Sequence, residues 1–167
     1  MIKFIIGDVF ESDADVICHQ VNCLGIMGGG IALTIRKKFP DVYVAYKNHC
    51  DGLGLEDMRS LLGTVLYVPT TTLKGKDLII ANVFAQLDIG CGVRTNYEAI
   101  EAGFRDIKKT YSGTNKTVAI PYGIGCGLAG GDWDRVIAII NDVFDDDSVD
   151  VTICKLPVVK RTAVFYE

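Results

Sequence analysis

His19-Gln20-Val21-Asn22-Cys23-Leu24-Gly25-Ile26-Met27-Gly28-Gly29-Gly30-Ile31-Ala32 is the stretch that decides the fold. Its first residues complete the apolar run Asp15–Val21, which suits a strand covered on both faces. Its last residues enter a helix running from about Gly30 to Phe39. Between them, Gly25, Gly28, Gly29 and Gly30 occupy a strand-to-helix junction. At the carboxyl end of a strand in an open α/β sheet, such a junction is the usual ligand edge. Glycines there let a ligand approach the backbone, and the free amides of a helix N-terminus attract anions.

Working outward, strand-like and helix-like segments alternate. Lys3–Ile6, Thr64–Val68, Asp77–Val83, Thr117–Pro121 and Val149–Cys154 read as further strands. Thr95-x-x-Glu98 has the spacing of a capping box, followed by Tyr97, Ile100, Phe104, Ile107 and Tyr111 at helical intervals. Asp132 can cap another helix with the apolar face Trp133, Val136, Ile137, Ile140, Val143 and Phe144. A fourth helix is expected after Pro40-Asp41. The expected fold class is a three-layer α/β/α domain with a mixed central sheet, spanning residues 1–156. Residues 157–167 read as a tail, with Val158, Val159, Val164 and Phe165 spaced for an extra edge strand or a partner contact. Ile-Gly-Cys-Gly occurs at 89–92 and again at 124–127. Its flanks differ, so it reads as coincidence rather than an internal repeat.

Composition narrows the classes. Hydrophobic residues make up 49% and charged residues 23%, the balance of a globular domain. No apolar run reaches bilayer length, and no secretory leader is recognisable, so no membrane partner and a cytoplasmic location are expected. The six cysteines lack Cys-x-x-Cys spacing, and neither a metal nor any other cofactor is implied. The net charge of −4 gives no strong nucleic-acid signal. Any anion must therefore be held by backbone amides.

A second glycine set, Gly123, Gly125 and Gly127, follows the strand ending at Pro121, and Gly130-Gly131 precede Asp132. Two such loops facing each other could grip a diphosphate. Neither loop gives a Walker A or a Gly-x-Gly-x-x-Gly pattern, and either alone reads better as a tight turn than as a ligand loop. Asp8, at the end of the first strand, can accept hydrogen bonds from an amino group such as that of adenine. His19 suits a general acid or base near neutral pH and reads equally as a core histidine. Asn22 reads as a ligand contact or a turn asparagine.

Taken together, Gly7-Asp8-Val9, the run His19–Ala32, and Pro121-Tyr122-Gly123-Ile124-Gly125-Cys126-Gly127-Leu128 followed by Trp133 resemble the macrodomain family. Within it they look most similar to the branch of yeast-type ADP-ribose-1″-phosphate phosphatases and the terminal ADP-ribose glycohydrolase. The resemblance implies that Asp8 bonds the adenine amino group and that Val9 makes the adjacent backbone contact. It puts Asn22 at the distal ribose, with Gly28, Gly29, Gly30 and Ile31 around that ribose and the diphosphate. Gly123, Ile124, Gly125, Cys126 and Gly127 would close from the other side. The implied ligand is ADP-ribose or a derivative, with ADP-ribosylated protein as a further partner. The glycohydrolase lysine and aspartate are replaced here by Gln86 and Ala129, with Asp132 the nearest substitute. The expected activity is hydrolysis of ADP-ribose-1″-phosphate, with His19, Asn22 and Asp132 as catalytic candidates. The alternatives are a non-catalytic reader and an ADP-ribosyl hydrolase acting on protein or nucleic acid.

Overall fold

The computed structural model describes residues 1–158. The chain folds as a six-stranded sheet in the order β1-β6-β5-β2-β4-β3. The strands are β1 (Ile2–Ile6), β2 (Val16–Asn22), β3 (Val65–Thr71), β4 (Asp77–Gln86), β5 (Val118–Pro121) and β6 (Val151–Lys155). Among the described residues only β3 runs antiparallel, against β4, and every other strand pairing is parallel. The described residues form five α-helices, α1 (Gly30–Lys38), α2 (Pro40–Cys50), α3 (Leu55–Leu61), α4 (Tyr97–Tyr111) and α5 (Trp133–Val143). This is the three-layer α/β arrangement with a mixed sheet that the alternating pattern implies.

Each sheet face has its own core. Val16 and Cys18 of β2 with Ala81 and Val83 of β4 meet Ile100, Phe104 and Ile107 of α4 and Val136 and Ile140 of α5. On the other face, Ile17 and Val21 with Ile80 and Phe84 meet Ile35 of α1 and Val42 and Tyr46 of α2. The period-2 alternation of the central strands thus feeds both layers. α4 sits so close on β4 that a Cβ at Gly103 would strike Val83.

Two sequence expectations need adjustment. The cap of α4 is Asn96, whose side chain accepts from the Ala99 amide, and not Thr95. Thr95 faces inward, where its hydroxyl has other partners. The expected extra strand or partner contact of 157–167 lies, from residue 159 onward, outside the described residues. No helix among the described residues is long and apolar enough to cross a membrane.

His19 is the main polar group inside the second core. It is fully buried, and its Nε2 donates to Asn82 Oδ1 at 2.7 Å, while Nδ1 is buried without a partner. Desolvation lowers its pKa from 6.5 to about 4, only partly offset by the Asn82 bond. An unfolded chain therefore takes up a proton below pH 6.5 that the folded chain refuses until about pH 4. Stability is full above that window and declines as pH falls through it, by roughly 3 kcal/mol. Urea unfolding of the wild type and His19→Gln at pH 7 and pH 4.5 checks this. The wild type should lose more stability between the two than the variant, and equal losses would refute the assignment.

Candidate functional site

Parallel pairing aligns the carboxyl ends of β1, β6, β5, β2 and β4 along one sheet edge, and the segments following them line a single cleft of about 980 Å³. From β1 to β4 there are four inter-strand steps, about 19 Å at the usual spacing. Asp8, Val9 and Phe10 come from β1. Gln20, Asn22, Ile26 and Gly28–Ala32 come from β2 and its loop. Tyr122–Gly125 and Gly127–Ala129 follow β5, Lys155 and Leu156 close β6, and Gln86, Ile89 and Gly90 close β4.

The first loop is built on Asn22. Its Oδ1 accepts from the amides of Leu24 (3.0 Å) and Ile26 (3.3 Å), and its Nδ2 donates to the Ile26 carbonyl at 2.8 Å. The Tyr46 hydroxyl of α2 lies 2.7 Å from the Asn22 carbonyl oxygen and 2.9 Å from Oδ1. Asn22 reaches the cleft with one amide proton to spare, so the turn-asparagine reading describes most of what it does. The loop then delivers Gly29 as the N-cap of α1. Glycine has no side chain to cap with, so the amides of the first turn have no intrahelical partner and no cap. The left-handed residue of the triplet is Gly30 (φ 54°), whereas Gly29 is extended at φ −157°.

The second loop is a succession of tight turns. Ile124 donates to Pro121, Cys126 to Gly123, Gly130 to Gly127 and Gly131 to Gly125. Among the described residues the amides of Gly123, Gly125, Gly127, Leu128 and Ala129 donate to no other backbone group. The two loops meet over the cleft, because a Cβ at Gly29 would stand 2.5 Å from Leu128 Cδ1. Here are two amide-rich segments, one from each side, touching above a common floor.

The charged side chains lining the cleft lie at the β1–β6 end. Asp8 Oδ1 caps the short 3-10 turn Val9–Glu11 through the Phe10 amide at 3.0 Å, leaving Oδ2 with no protein donor among the described residues. Lys155 Nζ sits 4.4 Å from the Tyr122 ring centre. At the β2–β4 end the polar groups are carboxamides: Gln20, Asn22 and Gln86. A register shift at Val21/Asn22 pairs Asn22 with Gln86 and brings the latter into the cleft. Ala129 lines the wall nearby.

Three expected site residues are corrected. His19 cannot act as a general acid or base in the cleft, because β2 alternation turns it into the opposite core while Gln20 takes the cleft position. Asp132 is exposed, caps α5 by accepting from the Asp134 amide, and does not line the cleft. The Cys126 side chain packs against the core, and its thiol donates to the Ile124 carbonyl. Asp8, Val9, Asn22, Gly28, Gly29, Gly30, Ile31, Gly123, Ile124, Gly125 and Gly127 do gather at the cleft. Sequence reasoning missed Phe10, Gln20, Tyr122 and Lys155. Both Ile-Gly-Cys-Gly stretches border the cleft, through Ile89–Gly90 and Ile124–Gly125. Burial pushes the Cys18 and Cys23 thiols up to about 12 and about 11, which keeps them protonated. Among the described residues no three His, Cys, Asp or Glu side chains gather to hold a metal ion.

Residues 18–140 match the family model described as the Macro domain, and the chain belongs to that family. It is 42% identical over 76 residues to an ADP-ribose 1″-phosphate phosphatase of Scheffersomyces stipitis, covering 42% of this chain and 43% of that protein. It is 29% identical over 154 residues to a DNA ADP-ribosyl glycohydrolase of Mycobacterium tuberculosis, covering 89% of this chain and 41% of that protein. The chain thus spans less than half the length of these curated relatives. The macrodomain of Mycobacterium tuberculosis DarG superposes with a TM-score of 0.77 at 26% identity, covering 95% of this chain and 99% of that one.

The geometry separates two glycines that look alike in sequence. At Gly29→Val the new Cβ meets only the free end of the exposed Leu128 in an extended conformation and the helix loses glycine's N-cap preference over valine, so stability should fall by no more than about 0.5–1 kcal/mol. Gly125→Ala faces a φ of 73° and the Gln20 Oε1 atom 2.6 Å from the new Cβ, and should cost about 1–3 kcal/mol. Thermal unfolding of both variants reads this directly, and equal losses would overturn it. Asp132→Ala should lose about 1 kcal/mol as a missing cap and leave the cleft unaltered.

Proposed function

We propose that the chain binds ADP-ribose, or a derivative of it, along the cleft. The observation that carries this reading is the pair of amide-rich loops meeting over a floor about 19 Å long, with a free carboxylate oxygen at one end. Neutral amides suit a diphosphate, and their number matters in a protein of net charge −4. Asp8 Oδ2 can accept from an exocyclic amino group, which supports adenine at the β1–β6 end in this reading. The distal ribose then lies among Asn22, Gln20 and Gln86. The relatives named for ADP-ribose 1″-phosphate and for ADP-ribosyl DNA support a ligand of this class.

A second reading, release of phosphate from ADP-ribose-1″-phosphate, is favoured by the identity to the Scheffersomyces stipitis phosphatase. Its chemistry would differ from the expectation built on His19. The carboxamides at the distal end do not exchange protons near neutral pH. Loop amides would stabilise charge developing on the phosphoryl oxygens; water would attack phosphorus, the bond from phosphorus to the ribose 1″ oxygen would break, and the proton lost by water would pass by way of the substrate's phosphate oxygens to that departing oxygen, leaving ADP-ribose and inorganic phosphate.

Calorimetry with ADP-ribose, followed by a phosphate-release assay on its 1″-phosphate, tests the two in order. Binding is expected. Release of phosphate would establish the second reading, and binding without release would leave a reader of ADP-ribose. Asp8→Ala should weaken ADP-ribose and AMP alike, by about 1–3 kcal/mol. A wild type that takes up no ADP-ribose, or an Asp8→Ala that binds as tightly, would overturn the assignment of that end.

A further inference from the structure

A small polar network lies beneath the second loop, and it joins Gln20 and Gln86 of the distal-ribose end to Thr95, which does not line the cleft. Gln20 stands in the middle of the sheet with its carboxamide directed at the cleft floor. Its Nε2 donates to Thr95 Oγ1 at 2.9 Å and more weakly to Gln86 Oε1 at 3.4 Å. Thr95 in turn donates its hydroxyl proton to the Gly125 carbonyl at 2.5 Å, and the Gly131 amide donates to the same oxygen at 2.9 Å. Gln20 Oε1 is buried without a donor and faces Gly125. The same Thr95 is anchored through its backbone, its amide and that of Arg94 both reaching the Ala129 carbonyl.

This arrangement turns one carbonyl away from the place where an anion would sit. A loop carbonyl pointing into the cleft would oppose a phosphate oxygen with its own partial negative charge. Two donors hold the Gly125 carbonyl inward, and its φ of 73° is the conformation that permits this turn. Building a side-chain–backbone network of this kind requires every donor direction to be right. Thr95 has a single proton, and it is spent on Gly125 only because Gln20 approaches with its N–H and not its oxygen.

We propose that Gln20 and Thr95 form a latch that fixes the second glycine loop in its anion-accepting conformation, making both positioning residues for diphosphate recognition. The inference rests on the reading of the cleft as an ADP-ribose site. Gln20→Glu is the sharpest perturbation, since a carboxylate of the same shape can only accept. It captures the Thr95 proton, and the Gly125 carbonyl loses a donor. Thr95→Val deletes the hydroxyl at nearly constant volume, and Thr95→Ser retains it.

Calorimetry with ADP-ribose and with AMP, which lacks the second phosphate and the distal ribose, separates the latch from a general loss of structure. Thr95→Val, at a residue that does not line the cleft, should lower ADP-ribose affinity about tenfold or more and is the decisive variant; Gln20→Glu should lower it at least as much, because its carboxylate also faces the distal ribose, while AMP affinity changes less than about threefold in both. Thr95→Ser should restore most of the loss. Amide hydrogen exchange without ligand should quicken in residues 123–131 of Thr95→Val relative to the wild type. Parallel losses for both ligands, unchanged ADP-ribose affinity, or unchanged exchange in that loop would each overturn the latch. A wild type that binds AMP but not ADP-ribose would instead overturn the diphosphate reading, and with it the ligand role of the network. The exchange comparison tests the mechanical part in either case.

Discussion

Asn22 joins the sheet to the cleft, and the first loop has its shape because of that one side chain. Its carboxamide takes the place of backbone pairing for a segment that has left the sheet, accepting from Leu24 and Ile26 and donating back to Ile26. Tyr46 locks the same residue from α2, so the helical layer and the loop are fixed by a shared hydroxyl. Remove that knot and Gly29 no longer arrives at the head of α1 with its amides aimed together. With its oxygen accepting from Leu24, Ile26 and Tyr46 and one amide proton donated to Ile26, the side chain specifies a single loop arrangement. The cost of disturbing it is correspondingly concentrated at one position.

The second dependence is topological. Five strands run parallel and deliver their following segments to one edge, so the cleft needs no dedicated domain. Among the described residues its wall carries one cation, Lys155, which leans on Tyr122. Under the proposed reading, attraction for an anion comes from oriented peptide dipoles, which act at contact distance and do little to steer a distant ligand. Such a site discriminates by geometry more than by charge. The loops are accordingly held by tertiary hydrogen bonds, with Thr95 reaching Gly125 and Arg94 reaching Ala129.

The strands and helices were legible because each layer imposes its own period on the chain, and the glycine loops were legible because they interrupt it. The failures have specific causes. β2 is covered on both faces, so alternation separates His19 from Gln20 without saying which one meets the ligand edge. A one-residue register shift brings Gln86 beside Asn22, and no local signal marks it. Thr95 has the spacing of a cap, yet a partner 30 residues away claims its hydroxyl and Asn96 caps instead. Three consecutive glycines leave no way to tell that Gly30 and not Gly29 is left-handed. Except for the handedness of Gly30, which is local, each miss involves a contact between distant segments, which a single chain read in order does not contain.

The contact between Gly29 and Leu128 bears on how long a ligand stays. The roof of the cleft at that point is one leucine side chain, 80% exposed and free on its outer side. Exposed side chains change rotamer in picoseconds to nanoseconds. A gate that opens so often cannot be the slow step of escape. Under the proposed reading, residence time is set by the simultaneous rupture of amide–phosphate hydrogen bonds below the roof, and enlarging or trimming Leu128 leaves it nearly unchanged.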